Sequence, residues 1–215
     1  MNVSPAKESI LKKIRKALTI STPLPFPQSE GYQSVYQPQK QELEMEFAEQ
    51  FTKLQGKFVF CIDESEMAAQ LKALIQQSGW EKLYTRDTPV AQLLGNAGIA
   101  FPEGVSLENC DVAITGCEAL VARTGTIVLS SALAGGRTTS VYTPIHICIA
   151  YTSQLRYDIK DAIQLIREKY PDGIPSLITF ATGPSRTADI EKTLVVGVHG
   201  PKEVYVFLVD QPGTE

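Results

Sequence analysis

Chemistry is concentrated in one run of the 215-residue sequence, Thr182-Gly183-Pro184-Ser185-Arg186-Thr187-Ala188-Asp189-Ile190-Glu191. Ser185 and Thr187 bring hydroxyls and Arg186 a guanidinium, a set of donors suited to a carboxylate or a phosphate. Gly183 tolerates positive φ and Pro184 fixes φ near a helix-entry value, so the pair reads as a tight turn. The apolar run 176–181 leads in as a buried strand. Residues 187–196 lead out as a helix, with Ile190 and Leu194 on one face. A strand-turn-helix junction leaves backbone N–H groups free at the helix start, where they can hold an anion. A helix N-terminus repels a cation, so Arg186 there calls for a negative neighbour. Asp189, one turn on, could orient the guanidinium over a ligand. Equally, Arg186 and Asp189 could pair with each other and leave a plain turn.

Other residues could join this site. His199, in Gly197-Val198-His199-Gly200-Pro201, can titrate near neutral pH and is a candidate acid or base. It could also simply close the preceding helix through hydrogen bonds to free carbonyls. Two small-residue loops, Thr124-Gly125 and 135–139 with Arg137, are expected to close over the same crevice, beyond the carboxyl ends of the strands. Glu118 and Asp189 are the candidate carboxylates, and His146 reads as a strand histidine. The sequence has no Walker motif, no G-x-G-x-x-G and no G-x-S-x-G elbow.

The elements that would position these groups follow from periodicity. Residues 4–18 form an amphipathic helix with Ile10, Leu11 and Ile14 on one side and Lys7, Lys12, Lys13, Arg15 and Lys16 on the other. Residues 19–39, with Pro23, Pro25, Pro27 and Pro38, are a linker or strap. We therefore expect residues 1–40 to be an appendage and 41–215 the α/β body. In the body a helix around 43–54 precedes a strand at 57–62, a helix ended by Gly79, a brief strand at 82–84 and a short helix at 90–94. This alternation argues for parallel βαβ units. After a strand at 110–114 the pattern changes, and strands at 119–122, 126–131 and 143–150 leave no room for helices and suggest an antiparallel or mixed section. A helix from Leu155 to Ile166 and a closing strand at 203–209 complete an α/β sheet with helices on both faces.

Bulk properties narrow the function. A net charge of -4 gives no basic field for nucleic acid. No run is long enough to span a membrane and no apolar leader opens the chain, so a cytoplasmic protein is expected. Cys61, Cys110, Cys117 and Cys148 form no Cys-x-x-Cys pair, so no metal, iron–sulfur cluster or other cofactor is expected on this chain.

Thr124-Gly125-Thr126-Ile127-Val128-Leu129, Pro144-Ile145-His146, the 182–191 run and Gly197-Val198-His199-Gly200-Pro201 together resemble the LUD-domain family, in its lactate-utilisation C (LutC/YkgG) group. The resemblance covers about Gln41 to Val209, and the basic first helix with its proline-rich strap also suits that group. It implies a three-layer α/β/α sandwich with a mixed, mostly parallel sheet, like the NagB/RpiA/CoA transferase-like fold. It also implies a role in oxidising L-lactate to pyruvate beside LutA- and LutB-like iron–sulfur partner proteins that carry the clusters. On that reading the chain is a non-redox subunit that binds a small anionic ligand or organises its partners, and could form a homodimer. The alternative is a free-standing enzyme acting on a phosphorylated or CoA-linked small substrate.

Overall fold

The computed structural model describes residues 5–19, 38–187 and 195–210. The chain divides into two compact units, Met1–Pro38 and Gln39–Glu215. The first holds α1 (Pro5–Leu18), which opens on a proline where a missing N–H costs nothing.

The second unit is built on a five-stranded parallel sheet of β1 (Lys57–Cys61), β2 (Leu83–Tyr84), β3 (Val112–Thr115), β6 (Ile145–Tyr151) and β11 (Glu203–Val209), in the order β1-β11-β6-β3-β2. The last strand of the chain is thus inserted beside the first, with Lys57 opposite Tyr205 and Glu203 opposite Ile145. Val204 to Val209 are all buried, the unbroken apolar run that a parallel strand covered on both faces requires.

Strand alternation sends the two sets of side chains to different layers. Ile114, Ile147, Phe207 and Val209 pack against Met67 and Leu71 of α3 (Glu64–Ser78) and Val90 and Leu94 of α4 (Thr88–Asn96). Asp63 caps α3 by accepting from Glu66 N at 2.7 Å, and Gly79, at φ +68°, ends it. Cys148, Val206 and Leu208 point the other way, onto Phe47 and Phe51 of α2 (Leu43–Lys53) and onto Leu120, Ile127 and Leu129. Those last three belong to a second, mixed sheet of β4 (Ala119–Val121), β5 (Thr126–Ser130), β7 (Leu155–Arg156) and β8 (Ile178–Ala181), ordered β7-β4-β5-β8. Its outer face, Val121 and Val128, is covered by Ala162 and Ile166 of α6 (Ile159–Lys169). The architecture is a three-layer α/β/α sandwich with a small sheet set into one helical layer.

Four expectations change. The mixed section forms a sheet of its own rather than extending the parallel one. Leu155 lies in β7, because Asp158 caps α6 and starts it only at Ile159. The 176–181 run is an edge strand: among the described residues β8 pairs only with β5, and Leu177 and Phe180 are 39% and 40% exposed. Finally, Arg186–Thr187 is not a helix start but a short strand, β9, antiparallel to β10 (Val195–Val196). Asp189, Ile190 and Leu194 lie outside the described residues.

Candidate functional site

The chemistry-bearing turn packs on the end of α2. Gly183 has φ +78°, and a Cβ there would sit 2.9 Å from the Leu54 carbonyl oxygen. Thr182 Oγ1 is 2.9 Å from Thr126 Oγ1, which is 2.7 Å from Thr124 Oγ1. Gly125, at φ +59°, lies against the backbone of Gln50 and Phe51. The 124–126 and 182–187 loops therefore do meet, as expected.

Arg186, however, donates from Nη2 to the Leu54 carbonyl and, at 3.4 Å, to Gln55 Oε1. Its cation sits at a helix C-terminus, where unpaired carbonyls and the negative end of the dipole favour it. The expected location at a helix N-terminus is reversed. Arg186 is a clasp onto α2.

Ser185 is pinned through its backbone: its N–H donates to Pro201 O and its carbonyl accepts from Gly197 N, both at 2.9 Å. This brings the 182–187 turn against the 197–201 turn, as the motifs suggested. A Cβ on Gly200 would come 2.8 Å from Ser185 Cβ, so only glycine fits. Pro184 is buried beneath. His199 is exposed and lines a cavity of about 410 Å³ between the 197–202 turn and the 141–144 segment. That segment includes the end of α5 (Thr139–Tyr142). Lys202 N donates to Pro144 O at 2.8 Å and ties the two walls together. Because Glu203 and Ile145 are register partners at the strand starts, this cavity lies at the amino ends of β6 and β11, not at the carboxyl ends.

The third loop does not join it. Gly136 packs on the Ser130 carbonyl, and Arg137 Nη2 donates to Ser176 Oγ at 2.5 Å. Both contacts are at the far end of β5 from Thr126, about 13 Å away at 3.3 Å per residue.

Glu118 is buried and fully partnered. Ser130 Oγ donates to it at 2.5 Å, Lys169 Nζ at 2.8 Å and Tyr170 OH at 2.9 Å. Burial alone would raise its pKa, but these bonds and the Lys169 charge together hold it below the ordinary carboxylate value. The group clamps the end of α6 onto β4 and β5, which disfavours it as a nucleophile.

A second concavity, about 490 Å³, does lie beyond the carboxyl ends of β2, β3 and β6, where ligands gather in open α/β sheets. Its charged side chains are the carboxylates of Glu64 and Asp87, and both already accept hydrogen bonds. Tyr151 OH donates to Glu64 Oε1 at 2.7 Å, while Asp87 accepts from Val90 N at 3.3 Å and Gly116 N at 3.2 Å.

Residues 105–209 match the LUD domain model. Over that stretch, just under half of its length, the chain resembles the LUD domain family. Among its relatives, Lactate utilization protein C of Bacillus licheniformis is 40% identical over 107 residues, 48% of this chain and 45% of that protein. Lactate utilization protein C of Bacillus subtilis is 36% identical over 145 residues, 63% of this chain and 59% of that one. The chain spans about half the length of the curated relatives it matches. A crystal structure of a DUF162 family protein from Deinococcus radiodurans superposes with TM-score 0.57 at 17% identity, covering 78% of this chain and 96% of that one, a likeness of fold.

The LUD domain runs from just before β3 to the end of β11 and so contains both walls of the amino-end cavity. Of the residues singled out from the sequence, His199 lines this cavity; Lys202 is not among them, and its only signal is its place directly after the His-Gly-Pro turn. Among the described residues no cluster of His, Cys, Asp and Glu could hold a metal, and no helix is long and apolar enough to cross a membrane.

Proposed function

We propose that this chain is a component of a cytoplasmic system for L-lactate utilisation. It would act beside iron–sulfur proteins of the LutA- and LutB-like kind as a subunit without a redox centre of its own. The observation that carries this reading is its 36–40% identity to proteins named Lactate utilization protein C. The sites of the chain suit binding more than electron transfer. All four cysteines are buried free thiols, and Glu118 is locked in a structural clamp. Electrons from lactate would then pass through the partner proteins. The test is lactate-dependent reduction of an artificial electron acceptor by the purified partners, with and without this chain, together with growth of a deletion strain on L-lactate. The reading expects loss of both activities without the chain. Normal growth and undiminished lactate oxidation in its absence would overturn it.

A further inference from the structure

The two concavities at opposite ends of the parallel sheet carry opposite electrostatic character. The carboxyl-end cleft holds the carboxylates of Glu64 and Asp87. Among the described residues the amino-end cavity is lined by no carboxylate, and has Lys202, His199 and Tyr142 instead. Other lysines of the chain are held by carboxylates, Lys57 by Glu203 at 2.6 Å and Lys169 by Glu118. Among the described residues the side chains of Lys202 and His199 have no hydrogen-bond or ion-pair partner. The backbone is shaped to seat the lysine: Gly197 adopts φ +81°, and a Cβ there would come 2.1 Å from Lys202 Cγ. Any other residue at Gly197 would push the lysine stem off the turn.

We infer that the cavity between the 141–144 segment and the 197–202 turn binds a small hydroxy or oxo carboxylic acid. The Lys202 ammonium takes the carboxylate. The His199 imidazole bonds the neighbouring hydroxyl or keto oxygen, and it could donate or accept according to which the ligand presents. The class of ligand rests on the lactate reading. The location rests on the sign of the cavity alone.

The test is titration calorimetry and thermal shift on the full chain with L-lactate, pyruvate and inorganic phosphate, using wild type, Lys202→Gln, His199→Gln and, as a control in the opposite cleft, Glu64→Gln. Lactate or pyruvate should bind wild type and Glu64→Gln alike. Lys202→Gln should weaken binding about tenfold or more, the loss of one charge-assisted hydrogen bond. Because Lys202 is exposed, its unliganded melting temperature should match wild type. Lactate binding that survives Lys202→Gln would overturn the location and leave the lactate reading standing. Lys202-dependent binding of phosphate but not of carboxylic acids would overturn the ligand class and count against the lactate reading with it. No binding of any of the three would overturn the inference, while the growth and reconstitution experiments judge the lactate reading separately.

Discussion

Acidification should weaken this fold in a window set by His146. The residue sits on β6 with no exposed surface. Its Nε2 is 2.8 Å from Thr115 Oγ1, and its Nδ1 is buried without a partner among the described residues. Burial pushes the imidazole pKa from an ordinary 6.5 down to about 4, because a buried cation would lose its hydration with nothing to replace it. The folded pKa lies below the unfolded one, so the neutral ring is favoured by folding. Its contribution is complete above 6.5 and is lost as pH falls from there towards 4. At 1.36 kcal/mol per pH unit the full loss is about 3 kcal/mol, of which about 2 kcal/mol is gone by pH 5. Glu118, Asp158 and Glu203 are held below the ordinary carboxylate range and lose their contributions mainly at lower pH. Urea unfolding at a series of pH values from about 8 to about 5, with the m-value checked for constancy, measures the loss. His146→Leu keeps the volume, sacrifices the Thr115 bond and should flatten the slope in this window. A wild type whose stability is flat over that range, or a slope that persists in His146→Leu, would refute the reasoning.

Two further outcomes follow from the backbone and the chain layout. Gly125→Ala should cost about 3 kcal/mol or more, from the left-handed φ of +59° together with a Cβ placed 2.6 Å from Phe51 N. Gly79→Ala, at φ +68° with open space around it, should cost only about 1 kcal/mol in the same urea series, and equal losses would show that the α2 contact does not matter. Removing residues 1–38 should leave a folded second unit by circular dichroism and cooperative melting. A truncated chain without cooperative unfolding would place α1 in the core.

Most of the parallel sheet is legible in the sequence because its signals are local. Strongly apolar runs mark β6 and β11, and Gly79 marks the end of α3 with a left-handed stop. The antiparallel character of 119–131 is also readable, since those strands follow one another too closely for helices. What the sequence hides is set by distant partners. Thr187 to Leu194 has helical spacing, yet Arg186–Thr187 is a strand because Val195–Val196 lies alongside and Ser185 is bonded to Gly197 and Pro201. The partner of Arg186 is the last carbonyl of a helix 132 positions away, which no local pattern announces. Ile178 to Ala181 is as apolar as a central strand, and periodicity cannot tell a strand buried on two faces from an edge. Lys202 carries no motif of its own.

The inferred site lies at the opposite end of the sheet from the expected one, and the carboxyl end has a local reason to disfavour an anion. Ligands favour the carboxyl ends of parallel strands partly because crossover helices start there and present free N–H groups and a positive dipole end. In this chain both helix starts are already occupied. Asp63 accepts from Glu66 N, Glu66 Oε2 in turn accepts from Ile62 N at 2.8 Å, and Asp87 accepts from Val90 N. Each cap adds a full negative charge to the place where the dipole would have drawn an anion, and Glu64 adds another in the first turn of α3. A lactate carboxylate approaching that cleft would meet filled donors and like charge. At the opposite end, the turn that follows β10 leaves Lys202 and His199 beside glycines and without a described carboxylate. On the inference above, the caps that stabilise α3 and α4 leave the amino end as the place for a small acid, and neutralising them should not abolish its binding.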